Sequence, residues 1–109
     1  MILAIIEHDR GILSPYSLQL LTYVHELAVS ESKPVKAVVI GQDVHPLNSK
    51  LSKYSPDEII LIEDERLEYF NAEAWAECIT QLASAKEPSI IMAAATDKSN
   101  EVLDRKSVV

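Results

Sequence analysis

Apolar positions along the chain fall into four short continuous runs, each followed by a stretch patterned at helical spacing. Ile2-Leu3-Ala4-Ile5-Ile6 carries no polar residue and is rich in β-branched side chains. This predicts a strand covered on both faces, as parallel strands usually are. Glu7 to Leu13 reads as a polar turn containing Gly11. Ser14-Pro15 then starts a helix, because serine caps free N–H groups and proline suits the first helical position. Leu18, Leu21, Val24 (or His25) and Ala28 follow at helical spacing, and Leu20 and Leu27 widen the stripe before Ser30 to Pro34 ends it.

The same alternation continues to the end. Val35 to Ile40 predicts a second strand closed by Gly41, and His45-Pro46 opens a short helix with Leu47 and Leu51. After the turn signal Ser55-Pro56-Asp57, Glu58 to Ile62 predicts a third strand, and Glu63 to Tyr69 is a charged connection. Asn71 caps a third helix with Trp75, Cys78, Ile79, Leu82 and Ala83 along one face, broken at Glu87-Pro88. Ser89 to Ala95 predicts a fourth strand. Thr96-Asp97 then caps a last helix that carries Val102 and Leu103 and runs to Lys106. The order βαβαβαβα predicts one α/β domain over residues 1–109, a three-layer Rossmann-like parallel sheet flanked by helices, with strand order 3-2-1-4.

Charge and composition narrow the partners. Seventeen acidic against ten basic residues give a net charge of −7, which repels nucleic-acid phosphates and anionic membranes. The apolar run Met1 to Ile6 is far shorter than the roughly 20 residues that span a bilayer. It lacks the basic flank of a signal peptide, so a cytoplasmic location is expected. The single cysteine, Cys78, excludes an internal disulfide and a multi-cysteine metal site.

In open α/β sheets ligands bind beyond the carboxyl ends of the strands, where the strand order reverses. Here that crevice lies between the first and fourth strands. Glu7, His8, Asp9 and Arg10 line one side; Ala95, Thr96, Asp97, Lys98 and Ser99 line the other. Two carboxylates and an imidazole suggest metal or acid–base chemistry. Adjacent residues on an extended segment alternate sides, however, and do not converge on one ion. The carboxylates are expected to bond backbone N–H groups of the turn. Gly11 and Gly41 belong to no phosphate-binding pattern, and Asp97 repels an anion from the helix start at Thr96 to Asn100. No catalytic or metal residue is assigned.

The other candidates take structural roles. His25 is expected to be partly buried, His45 to lie at the surface, and Cys78 to be an inert core thiol. Glu63-Asp64-Glu65 reads as a solvated loop, with Asp64-Glu65 at most a docking patch. Strand four is an edge strand without charge inside it, so a homodimer through residues 89–95 is expected.

Two segments carry a family resemblance. Ile2 to Gly11, running through Leu13-Ser14 into a helix, resembles the opening of electron transfer flavoprotein alpha subunits: an apolar strand, a Glu-His segment, a glycine and Leu-Ser. Ala93 to Arg105 is similar to that family's Ala-Thr segment and following helix, and Val35 to Gly41 matches its Val-x-Val-x-Gly strand. Ser99 stands where glycine is common and Asp104 where proline is common. The resemblance implies an N-terminal domain with the architecture of adenine-nucleotide-binding α/β domains, incomplete relative to the family. It packs beside a beta subunit and supports a flavin domain that holds FAD elsewhere. It therefore implies no catalysis and no cofactor bound by these 109 residues. The alternative is a small AMP- or ATP-binding module of the universal-stress type; an enzyme acting through Glu7, His8 or Asp97 ranks third.

Overall fold

The computed structural model describes residues 1–105. Its first strand, β1 (Ile2–Ile6), is wholly buried and is followed by two short strands, β2 (His8–Asp9) and β3 (Ile12–Leu13). The segment expected as a plain turn is therefore a hairpin, pairing His8 with Leu13 and Asp9 with Ile12. Its two central residues, Arg10 and Gly11, have φ of 48° and 92°. Positive φ at both positions suits the right-handed twist of the flanking strands, and glycine reaches it without steric cost.

Helix α1 (Pro15–Glu31) starts at Ser14, whose Oγ accepts from the Tyr16 N–H, and stops at Ser32 in a left-handed conformation. Strand β4 (Val35–Gly41) leads to α2 (Leu47–Leu51) and a 3₁₀ turn, and β5 (Glu58–Glu63) leads to a second 3₁₀ turn at Glu65–Leu67. Helix α3 (Ala72–Lys86) is capped by Asn71, whose Oδ1 accepts from the Ala74 N–H. Strand β6 (Ile90–Ala93) is shorter than the expected 89–95, and α4 (Asp97–Arg105) completes the described chain. The continuation of this helix to Lys106 lies outside the described residues.

The main sheet is parallel with order β5-β4-β1-β6. Ile2 sits opposite both Val35 and Ile90, which sets the register of the two inner pairings. Side chains alternate across the sheet and divide the core into two layers. Ile2, Ala4 and Ile6 face α1 and α2 with Leu21, Val24 and Leu47. Leu3 and Ile5 face α3 and α4 with Trp75, Ile79 and Val102.

Two expected burials change, and one burial was not anticipated. His25 is exposed, because Val24 takes the inward position beside it. Cys78 is only half-buried, since Trp75 and Ile79 occupy the centre of the α3 face. Buried Ser17 lies on the α1 stripe alongside Leu20, Leu21, Val24 and Ala28. No helix among the described residues is long and apolar enough to cross a membrane.

Candidate functional site

The carboxyl ends of β1 and β6 bring together three of the nine candidate residues, Glu7, Thr96 and Ser99. Glu7 leaves β1 toward α4, and its Oε2 accepts from the Thr96 hydroxyl at 2.5 Å and from the Ser99 hydroxyl at 3.3 Å. Thr96 also caps α4: its Oγ1 accepts from the Ser99 N–H at 3.1 Å, and its carbonyl from the Asn100 N–H. A carboxylate at the positive end of this helix is favourably placed. From the other side, the Glu7 N–H donates to the buried Ser17 Oγ at 2.8 Å. The expectation that these carboxylates bond backbone N–H groups does not hold for Glu7, which takes hydroxyl protons instead. The result is a clasp joining β1, α1 and α4.

His8 and Asp9 turn elsewhere. His8 is buried between the hairpin and β4, its Nε2 2.7 Å from the Ile40 carbonyl while Nδ1 accepts from the Gly11 N–H at 3.0 Å. Neutral imidazole has one donor and one acceptor nitrogen, so these two bonds assign the proton to Nε2 and use both nitrogens. Neither is left for a substrate or metal. Gly41 makes room for this ring. A Cβ there would meet His8 Cε1 and Nε2 at 2.8 Å and Val44 Cγ1 at 2.9 Å. Asp9 is exposed and pairs with Arg10, whose guanidinium lies 5.9 Å from the Tyr69 ring centre. Asp97 is exposed, and the Lys98 ammonium sits 5.3 Å from the Phe70 ring centre. Among the described residues no group of three or more potential ligands is placed to hold a metal.

Glu7, Trp75, Lys98, Ser99 and Val102 enclose a cavity of about 10 Å³ between β1, α3 and α4. That is room for about one water molecule, whereas ligand pockets run to roughly 300–1,000 Å³. The Trp75 ring stacks edge-on against Phe70 at 5.3 Å, and its buried Nε1–H meets no acceptor among the described residues. Sequence reasoning missed Ser17 and Gly41. A lone serine on an otherwise apolar helical stripe was the available signal for the first; the second stood out only as the glycine closing the Val35 to Gly41 strand, without its contact to His8.

The amino-acid sequence matches the electron transfer flavoprotein domain over residues 2–107. The chain belongs to this family. It is 30% identical over 96 residues to the electron transfer flavoprotein subunit alpha of Megasphaera elsdenii, covering 88% of this chain and 28% of that protein. The alpha subunit of Methylophilus methylotrophus is 29% identical over 91 residues, covering 84% and 28%. The lactate dehydrogenase (NAD(+),ferredoxin) subunit LctC of Acetobacterium woodii is 25% identical over 100 residues, covering 92% and 24%. The chain thus spans about a quarter of the length of these curated relatives. The crevice offers little room for the family's flavin, since Glu7, Thr96 and Ser99 bond across it and the cavity beside them is about 10 Å³.

The groove beside β5 has a different character. Asp64 forms a two-point pair with Arg66, Nε to Oδ1 at 3.0 Å and Nη2 to Oδ2 at 2.8 Å. The Arg66 side chain, helped by its backbone N–H, holds the Asp64 carboxyl down at about 2 and is itself raised in turn. Burial, with the Glu77 and Asp64 charges, pushes the Cys78 thiol up, which disfavours the reactive thiolate.

Proposed function

We propose that this chain is the N-terminal structural and interaction domain of an electron transfer flavoprotein alpha subunit, working in the cytoplasm, with FAD carried by another part of the assembly. The observation that carries this reading is the closed crevice. Where an α/β domain ordinarily admits a nucleotide, the Glu7 carboxylate bonds the Thr96 and Ser99 hydroxyls, and the cavity beside it is about 10 Å³. Family membership supports the electron-transfer context, and the relatives named as alpha subunits support the subunit assignment. The domain contributes through surface and support rather than catalysis, since Glu7 Oε2 and both His8 ring nitrogens bond within the fold. Its partner is the beta subunit. In isolation the open edge of β6, with Ile90, Ile91 and Met92 and no charge, pairs with a second copy.

One purification tests both halves. The chain is passed over gel filtration with in-line light scattering and absorbance, then titrated with FAD, AMP and ATP by calorimetry. The expected result is a colourless dimer that binds none of the three, and dispersal of the dimer by Ile91→Lys. A yellow protein retaining stoichiometric flavin would overturn the assignment. So would tight AMP or ATP binding, which would establish the nucleotide-module alternative, and a clean monomer at high concentration would remove the β6 contact.

A further inference from the structure

A second concavity, sharing no lining residue with the crevice, opens where β5 ends and α3 begins to pass over the sheet. It has a volume of about 510 Å³, within the range of roughly 300–1,000 Å³ seen for ligand pockets. Its origin is topological. Strand β5 is the outer strand of the sheet, paired only with β4. Helix α3 spends Trp75 and Ile79 on the inner strands, packing them with Leu3, Ile5, Val38 and Ile40. Ile62 is consequently only half-covered, and with Leu67, Ala74 and the Cys78 side chain it makes an apolar floor.

The rim is acidic. Glu63 and Glu77 stand exposed on either wall, one at the end of β5 and one on α3. Arg66, the one cation lining the groove among the described residues, is already engaged two-point by Asp64. Among the described residues Glu77 accepts from the neutral Gln81 amide, at 2.9 Å. Two carboxylates therefore face the groove without a compensating cation among the described residues. This disfavours phosphorylated small molecules, flavin and nucleotide among them, by like charge. A second copy presenting the same groove is disfavoured for the same reason, since its own Glu63 and Glu77 would face these two.

We infer that the groove receives a segment of a partner protein whose apolar side chains are flanked by lysine or arginine. The apolar residues cover Ile62, Leu67 and Ala74, while the flanking cations neutralise Glu63 and Glu77, giving register as well as attraction. This inference goes beyond the domain assignment above, whose tests concern flavin, nucleotides and β6, so each can fail without the other.

The experiment uses a fluorescein-labelled peptide with a leucine core flanked by lysines, a matched peptide flanked by glutamates, and the 109-residue chain. Binding is followed by anisotropy, and the site is mapped by amide chemical shifts. The double variant Glu63→Lys/Glu77→Lys should weaken the lysine peptide at least about tenfold, because like charges then meet across the contact. The control Glu26→Lys/Glu31→Lys, at exposed positions of α1, makes the same change in net charge and should shift affinity less than about twofold at physiological salt. In the unaltered protein the amides of Ala74 and Cys78 should move on binding. Equal loss in both double variants, equal binding of the glutamate peptide, or shifts confined to other surfaces would overturn the inference. Shifts at Cys78 that follow protein concentration alone would overturn it in favour of a second copy.

Discussion

Replacing Thr96 by valine isolates what the clasp contributes, because valine keeps the shape and removes only the hydroxyl. That oxygen has two partners: it caps α4 by accepting from the Ser99 N–H, and it donates to the Glu7 carboxylate. Loss of a helix N-cap costs about 1 kcal/mol. A hydrogen bond to a charged acceptor is worth about 1.5–3 kcal/mol, taken at its lower end here because Thr96 and Glu7 are half-buried. The sum predicts that Thr96→Val destabilises the chain by about 2–3 kcal/mol, a fall in Tm of about 10–20 °C for a domain of this size. Thr96→Ser keeps both bonds and should cost less than about 1 kcal/mol. Urea unfolding followed by far-UV circular dichroism reads the global effect. Amide exchange at Ser99 and Asn100 reads detachment of α4 by itself, which would otherwise cap the apparent loss. A cycle with Glu7→Ala should show coupling of about 1–2 kcal/mol. A valine variant within about 0.5 kcal/mol of the parent, with exchange at Ser99 unchanged, would refute the reasoning.

Gly41→Ala should destabilise by about 1–3 kcal/mol, since its Cβ meets the His8 ring and Val44 below normal contact distance; the urea midpoint checks this, and a midpoint unmoved by the substitution would contradict the crowding. Asp64 should titrate by NMR with a midpoint of about 2, and Arg66→Met should return it toward the ordinary carboxylate value of 3.8. Because the folded value is the lower one, the pair favours the fold above pH 3.8, and that contribution fades as pH falls through about 2. An Asp64 midpoint near 3.8 in the unaltered chain would mean that the two-point pair does not persist in solution.

The layout of strands and helices was legible in the sequence because it depends on local regularities. Unbroken runs such as Ile2 to Ile6 and Val35 to Ile40 form strands whatever their neighbours, and Ser14 and Asn71 cap helices through atoms two or three residues away. Two-residue loops with positive φ are as local, yet the Arg10-Gly11 turn was hidden within a run of polar residues. Contacts between distant parts of the chain decided the rest. The sequence left Val24 and His25 as rivals for one inward position, and only packing against β1 chose between them. It grouped Glu7, His8 and Asp9 by adjacency, whereas the structure sends them to α4, to the Ile40 carbonyl and to solvent. The crevice was located from topology alone, but its closure required Glu7 to meet residues 89 and 92 positions away. The groove beside β5 exists only because that strand has one neighbour instead of two, a property of the assembled sheet that no stretch of its own six residues encodes.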